Sequence, residues 1–60
     1  MFVIKADKGL YLGRGFFRGW FLCKDIEEAR KYSDRESAKE EILCQDIIPV
    51  KYLEIIRVPD

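Results

Sequence analysis

Apolar positions recur along this chain in three rhythms. Near the start, Phe2-Val3-Ile4 and Leu10-Tyr11-Leu12 are short β-rich runs separated by Asp7-Lys8-Gly9. That trio suits a type I turn closed by a glycine in the left-handed region, so the segment predicts a hairpin. A third strand is expected at about Gly19–Cys23, because Trp20-Phe21-Leu22-Cys23 is short, aromatic and bounded by glycine.

From Lys24 to Gln45 the period lengthens. Ile26, Ala29 and Tyr32 share one helical face, and Ala38 with Ile42 forms another stripe. Ala38 lies half a turn out of phase with Ala29, so one continuous helix would point its two stripes apart. Two capping-box spacings, Asp25 with Glu28 and Ser33 with Glu36, offer separate starts. The expectation is a short helical turn, a break at Ser33, and a helix of about three turns, with both stripes turned toward one sheet.

Pro49 and Pro59 bracket the last run and predict a strand over Val50–Val58. Its even face carries Val50, Tyr52, Ile56 and Val58 around Glu54. Its odd face carries Leu53 and Ile55 between Lys51 and Arg57. A strand apolar on both sides suits a sheet covered on both faces. The class expected is α+β, a single domain spanning 1–60. Its small antiparallel sheet comprises the N-terminal hairpin, the third strand and the C-terminal strand, with one main helix packed on one face.

One helix covers one face, and the surplus apolar surface directs attention to residues 13 to 21, GRGFFRGWF. If that stretch is extended, Phe17 and Phe21 face one way while Phe16 and Trp20 face the other. Only one pair then reaches the helix-covered core, and contiguous exposed aromatics mark interfaces. A homodimer or higher homo-oligomer is the simplest cover. Arg14, Phe16, Phe17, Arg18, Trp20 and Phe21 are accordingly the candidate binding residues, of the types found at interface hot spots.

The same stretch admits other readings. Arg14-Gly15-Phe16 and Phe21 match part of an aromatic RNA-binding signature, but Phe17 and Arg18 break it and the neutral net charge argues against nucleic acid. Arg14 and Arg18 could instead hold the phosphates of a nucleotide ligand at subunit junctions. Yet GRG is neither a Walker motif nor a dinucleotide fingerprint. The simplest account of the glycines is that Gly13 and Gly15 end a strand and Gly19 starts the next.

Composition narrows the chemistry further. There is no histidine, and the two cysteines, Cys23 and Cys44, match no zinc spacing, so neither metal nor cofactor is expected. Both read as reduced, small buried hydrophobes. Glu36, Glu40 and Glu41 read as solvating helix residues, and Glu27 with Lys31 as a surface pair. Glu54 is the odd carboxylate, a candidate partner for Arg14 or Arg18 from a neighbouring strand or a second subunit. Nothing supplies a nucleophile, a base and an oxyanion site together, so a non-enzymatic protein is expected. Lys5 interrupts the first apolar run before signal-peptide length, and no window approaches the roughly 18 apolar residues of a membrane span. A cytoplasmic protein is expected on those grounds. The zero net charge hides an asymmetry: residues 1–24 hold five cations against one carboxylate, and 25–46 hold four against eight. Such a dipolar surface steers charged partners.

The motif order FVIKADKG, YLGRG, an aromatic stretch, EARKYSDRESAKEE and YLEIIRV resembles small accessory proteins of bacteriophage and prophage genomes. In these, Y-x-G-x-G precedes A-x-x-[F/Y]-[S/T]-x-x-x-[S/A]-A. The matches fall on Tyr11, Gly13 and Gly15, and on Ala29, Tyr32, Ser33, Ser37 and Ala38, all hairpin, cap or packing positions. The resemblance implies a ββαβ-type fold and a phage accessory role in the host cytoplasm. It points to an anti-defence inhibitor that occupies a host protein, or to a sponge for an immune signalling nucleotide.

Overall fold

A computed structural model describes residues 1–15, 17 and 19–59. Strands β1 (Phe2–Lys5), β2 (Tyr11–Gly15), β3 (Gly19–Cys23) and β4 (Glu54–Arg57) form one antiparallel sheet in the order β3-β2-β1-β4. Helix α1 (Arg35–Cys44) is the main helix. Short 3₁₀ turns stand at Ile26–Glu28 and Val50–Tyr52. The class is the α+β arrangement expected, and the third strand falls where its glycine and aromatics place it.

The first hairpin keeps the three-residue loop expected, with Ala6 N–H donating to Leu10 O at 2.6 Å, but its turn type differs. Leu10 N–H donates to Asp7 O at 3.3 Å, with Lys8 at φ 62°, ψ 29° and Gly9 at φ 75°. Two central residues with positive φ make a type I′ turn, whose twist matches the strands it joins. Asp7 steadies it by accepting the Lys8 N–H on its carboxylate at 2.9 Å.

Beyond this turn β1 and β2 splay apart, pairing at Lys5 and Tyr11. The wedge is filled by the segment that follows β3. Arg30 N–H donates to Leu12 O, and Tyr32 exchanges both backbone bonds with Phe2 at 2.8 and 2.9 Å. The chain crosses the sheet here, from one face to the other. Ile26 and Ala29 pack with Val3, Phe21, Cys23 and Ile56 on one side. Tyr32, Ala38 and Ile42 pack with Ile4, Leu12, Trp20 and Ile55 on the other. The two apolar stripes therefore do not turn toward one face. The turn at Ile26–Glu28 supplies the cover that a second helix would otherwise provide, and this is why β4 can be apolar on both sides.

Helix α1 is capped one residue later than the capping box suggests. Asp34, not Ser33, accepts the Ser37 N–H at 2.7 Å, and that bond holds its carboxyl below the usual range. Asp25 likewise accepts from Glu27 N–H at 2.9 Å, in place of a reciprocal pair with Glu28. Aspartate wins both caps because its short carboxylate reaches the nearby amides while favouring the positive helix end.

The last strand is also shorter than the Val50–Val58 run. Pro49, at φ −57°, accepts the Tyr52 N–H at 3.0 Å, and Leu53 N–H closes onto Val50 O at 3.0 Å. These bonds bend Val50–Tyr52 into a turn and leave Val50 and Tyr52 exposed. Pairing with β1 begins only at Glu54, opposite Lys5.

Candidate functional site

The described candidate residues, Arg14, Phe17, Trp20 and Phe21, lie on the β2–β3 hairpin, which is paired continuously from Tyr11↔Cys23 to Gly15↔Gly19. Arg14 sits opposite Trp20 in that ladder. Both side chains face α1, and both end on the carboxylate of Glu41. The Trp20 indole N–H donates to Glu41 Oε1 at 2.7 Å, and Arg14 Nη1 donates to the same oxygen at 3.3 Å. The Arg14 guanidinium also lies 5.0 Å from the Trp20 ring centre, within cation–π range.

The two bonds to Glu41 differ in weight. The Arg14 side chain is 46% exposed, so its ion pair is screened and contributes less than about 1 kcal/mol. The indole bond is short, part-buried and made to an ionised acceptor, the class that contributes about 1.5–3 kcal/mol. Trp20 thus ties β3 to α1, and Arg14 is a lid over that tie.

Beside them lies a buried polar group. Tyr32 is buried, and its hydroxyl has no hydrogen-bond partner among the described residues. Its pKa is pushed up to about 12, first by burial and then by the negative charge of Glu41. The Arg30 guanidinium stands 5.6 Å from the ring centre and moderates that shift.

Phe21 faces the opposite side of the sheet, where it packs with Val3 and Cys23 over Gly13. A Cβ on Gly13 would lie 2.7 Å from the Phe21 ring and 3.3 Å from Glu28 O. Gly13 therefore admits an aromatic ring rather than ending a strand, whereas Gly15 and Gly19 do close the ladder as expected. The prediction that one aromatic pair is left without a core face is corrected for Trp20 and Phe21, each of which packs against its own cluster. Phe17 lies in the turn between β2 and β3 and is 94% exposed. Phe16 and Arg18 lie outside the described residues.

Three other polar residues prove structural in ways the sequence masks. Glu41, read as a solvating residue, holds Trp20 and Arg14. Lys31, read as a partner for Glu27, instead donates its ammonium to the carbonyls of Ile26, Ala29 and Glu27 at 2.8, 3.1 and 3.2 Å. It closes the C-terminal end of the 3₁₀ turn. Buried Gln45 accepts the N–H groups of Ile47 and Ile48 and donates to Ile42 O and Ile48 O, fixing the bend after α1. A signal for Glu41 exists in the helix phase, since it adjoins the Ala38–Ile42 stripe. Nothing in the local sequence marks Lys31 or Gln45.

The remaining chemistry is spare. Glu54 is exposed opposite Lys5, and β1 stands between it and Arg14, so that pairing does not occur within the chain. Cys23 is buried, its thiol pKa raised by burial and by Glu28 and Asp25, while Cys44 is exposed rather than buried as expected. Among the described residues, no cluster of three carboxylate or thiol groups could hold a metal, and no helix is long and apolar enough to cross a membrane. No family model, curated protein or solved structure matches the chain.

Proposed function

We infer that this chain acts by binding another protein, and that the end of the β2–β3 hairpin carries the contact. The observation supporting this is the placement of Phe17, 94% exposed at the turn of a hairpin with a full ladder. Exposed large aromatics are among the side chains that anchor protein interfaces. Arg14 and Trp20, bound to Glu41, support the hairpin one pair before its turn-end closure at Gly15↔Gly19 and add a cationic flank. The role proposed, on the resemblance of the motif order alone, is that of a phage accessory protein that inhibits a host protein by occupying it. Nucleotide sequestration is the weaker reading, because the carboxylate of Glu41 stands 3.3 Å from the Arg14 guanidinium and would repel a phosphate there.

A photo-crosslinking experiment in bacterial cells tests this. With p-benzoylphenylalanine at position 17, we expect one adduct of discrete mass that untagged wild-type protein competes away. The same residue at position 27 should give none. Equal labelling from both positions, or adducts to this chain alone, would overturn the reading.

A further inference from the structure

A second surface, away from the hairpin, has the form of a strand-binding groove. β4 is an edge strand. Met1 and Val58 exchange backbone hydrogen bonds, and the ladder continues through Val3↔Ile56 and Lys5↔Glu54. By the alternation of an antiparallel ladder, the N–H and C=O groups of Ile55 and Arg57 point outward. No described residue hydrogen-bonds to them. This edge is blunted only by its shortness and by the charges of Glu54 and Arg57, with no proline, lysine or bulge within Glu54–Arg57.

Alongside the edge runs a groove of about 590 Å³ between α1 and β4. Leu43 and Val50, 78% and 53% exposed, wall it, and Leu53 and Ile55 lie at its floor. Arg35 and Lys39 stand on the helix rim. The groove is polarised along its length. Arg35 stacks 5.3 Å over Phe2, whose strand partner is Arg57, so the first turn of α1 stands at the Arg57 end. Leu43 and Val50 stand at the Leu53 end. Glu54 also lines it, at the Leu53 end. One end is thus cationic, and the other is apolar apart from that carboxylate.

We propose that this groove takes an extended segment of a partner protein, which adds antiparallel to β4 as a fifth strand. Its helix-facing side chains run from a carboxylate, set between Arg35, Lys39 and Arg57, to apolar residues among Leu43, Val50 and Leu53. Backbone bonds to Ile55 and Arg57 supply affinity, and the graded groove supplies direction, as in other strand-addition complexes. A second copy of this chain fits less well. Antiparallel self-pairing sets Arg57 of the copy opposite Leu53 or Ile55, in the apolar half, and brings no carboxylate to Arg35 and Lys39. The proposal is independent of the hairpin contact, since neither surface uses the other's residues.

The test is an NMR titration of the full chain with the blocked hexapeptide Glu-Thr-Val-Thr-Leu-Thr, which places Glu, Val and Leu on one face. The amides of Ile55 and Arg57 should shift and gain exchange protection. The counterpart with lysine in place of glutamate should bind about threefold more weakly at low salt and equally at high salt. Arg57→Pro should lose the response while keeping the fold, because the bonds to β1 are made by the neighbouring even residues. Four results would overturn the proposal: no shift at millimolar peptide, shifts elsewhere in the sheet, equal binding of both peptides at low salt, or concentration-dependent shifts at Ile55 and Arg57 without peptide. The last would assign the edge to a second copy.

Discussion

The indole N–H of Trp20 meets the Glu41 carboxylate at 2.7 Å, joining the outer strand of the sheet to the middle of its helix. Trp20→Phe keeps most of the ring and removes the donor. We expect it to lower stability by about 1–2 kcal/mol. Glu41→Leu, which leaves the indole without an acceptor, should cost a similar amount, and the double variant should fall well short of the sum, because both remove one interaction. Urea unfolding of the cycle measures this; strict additivity would show that the bond contributes nothing.

Lys8 occupies a left-handed position that its side chain disfavours. Asparagine and glycine are the residues that type I′ turns prefer there. Lys8→Asn should stabilise the protein by about 0.5–1 kcal/mol, which in a chain of this size raises Tm by several degrees. A lowered Tm would contradict the assigned turn.

Gly13 lies under the Phe21 ring, and the carbonyl of Glu28 closes the space behind it. Gly13→Ala should cost about 1–3 kcal/mol through overpacking. Adding Phe21→Leu should recover part of that loss, because the smaller side chain vacates the collision. Calorimetry of the two single variants and the double variant decides the matter.

Much of this architecture was legible in the sequence, and the rest failed for identifiable reasons. Glycine boundaries and aromatic runs marked β3, and the phase break between Ala29 and Ala38 marked the end of one helical turn and the start of α1. What the phase could not convey was that the intervening residues cross the sheet, since that depends on β1 and β2 splaying apart. Without the crossing, the sequence pattern places Ile26 and Ala29 on the helix face and leaves the far side of the sheet bare. Trp20 and Phe21 were then available to be read as surface. Their true partners, Glu41 and Gly13, lie in elements whose spatial relation no local pattern records. The Pro49 turn was missed because Val50–Tyr52 has strand-like composition and only its hydrogen bonds bend it.

Tyr32 carries a consequence for alkaline stability. Its folded pKa of about 12 lies above the ordinary value of 10.0, so the unfolded chain releases the proton first. The resulting stability is fully present below pH 10 and is lost as pH rises toward about 12. Tyr32→Phe should remove that component, so the stability difference between variant and wild type should change across this window. At neutral pH the variant should be neutral or slightly more stable, because it deletes a buried hydroxyl that lacks a partner. A parallel pH dependence of the two proteins would contradict the assignment.

The central claim is a division of labour within residues 13 to 21, in which Arg14, Trp20 and Phe21 hold the fold while Phe17, 94% exposed, lies outside its core. Urea unfolding of Phe17→Asp beside Trp20→Ala tests it most directly. The account predicts that Phe17→Asp leaves the midpoint within about 0.5 kcal/mol of wild type, as exposed sites do. Trp20→Ala should lose about 3 kcal/mol or more. A Phe17→Asp variant destabilised as severely as Trp20→Ala would place Phe17 among the residues that hold the fold, and the hairpin end would no longer serve as a contact surface.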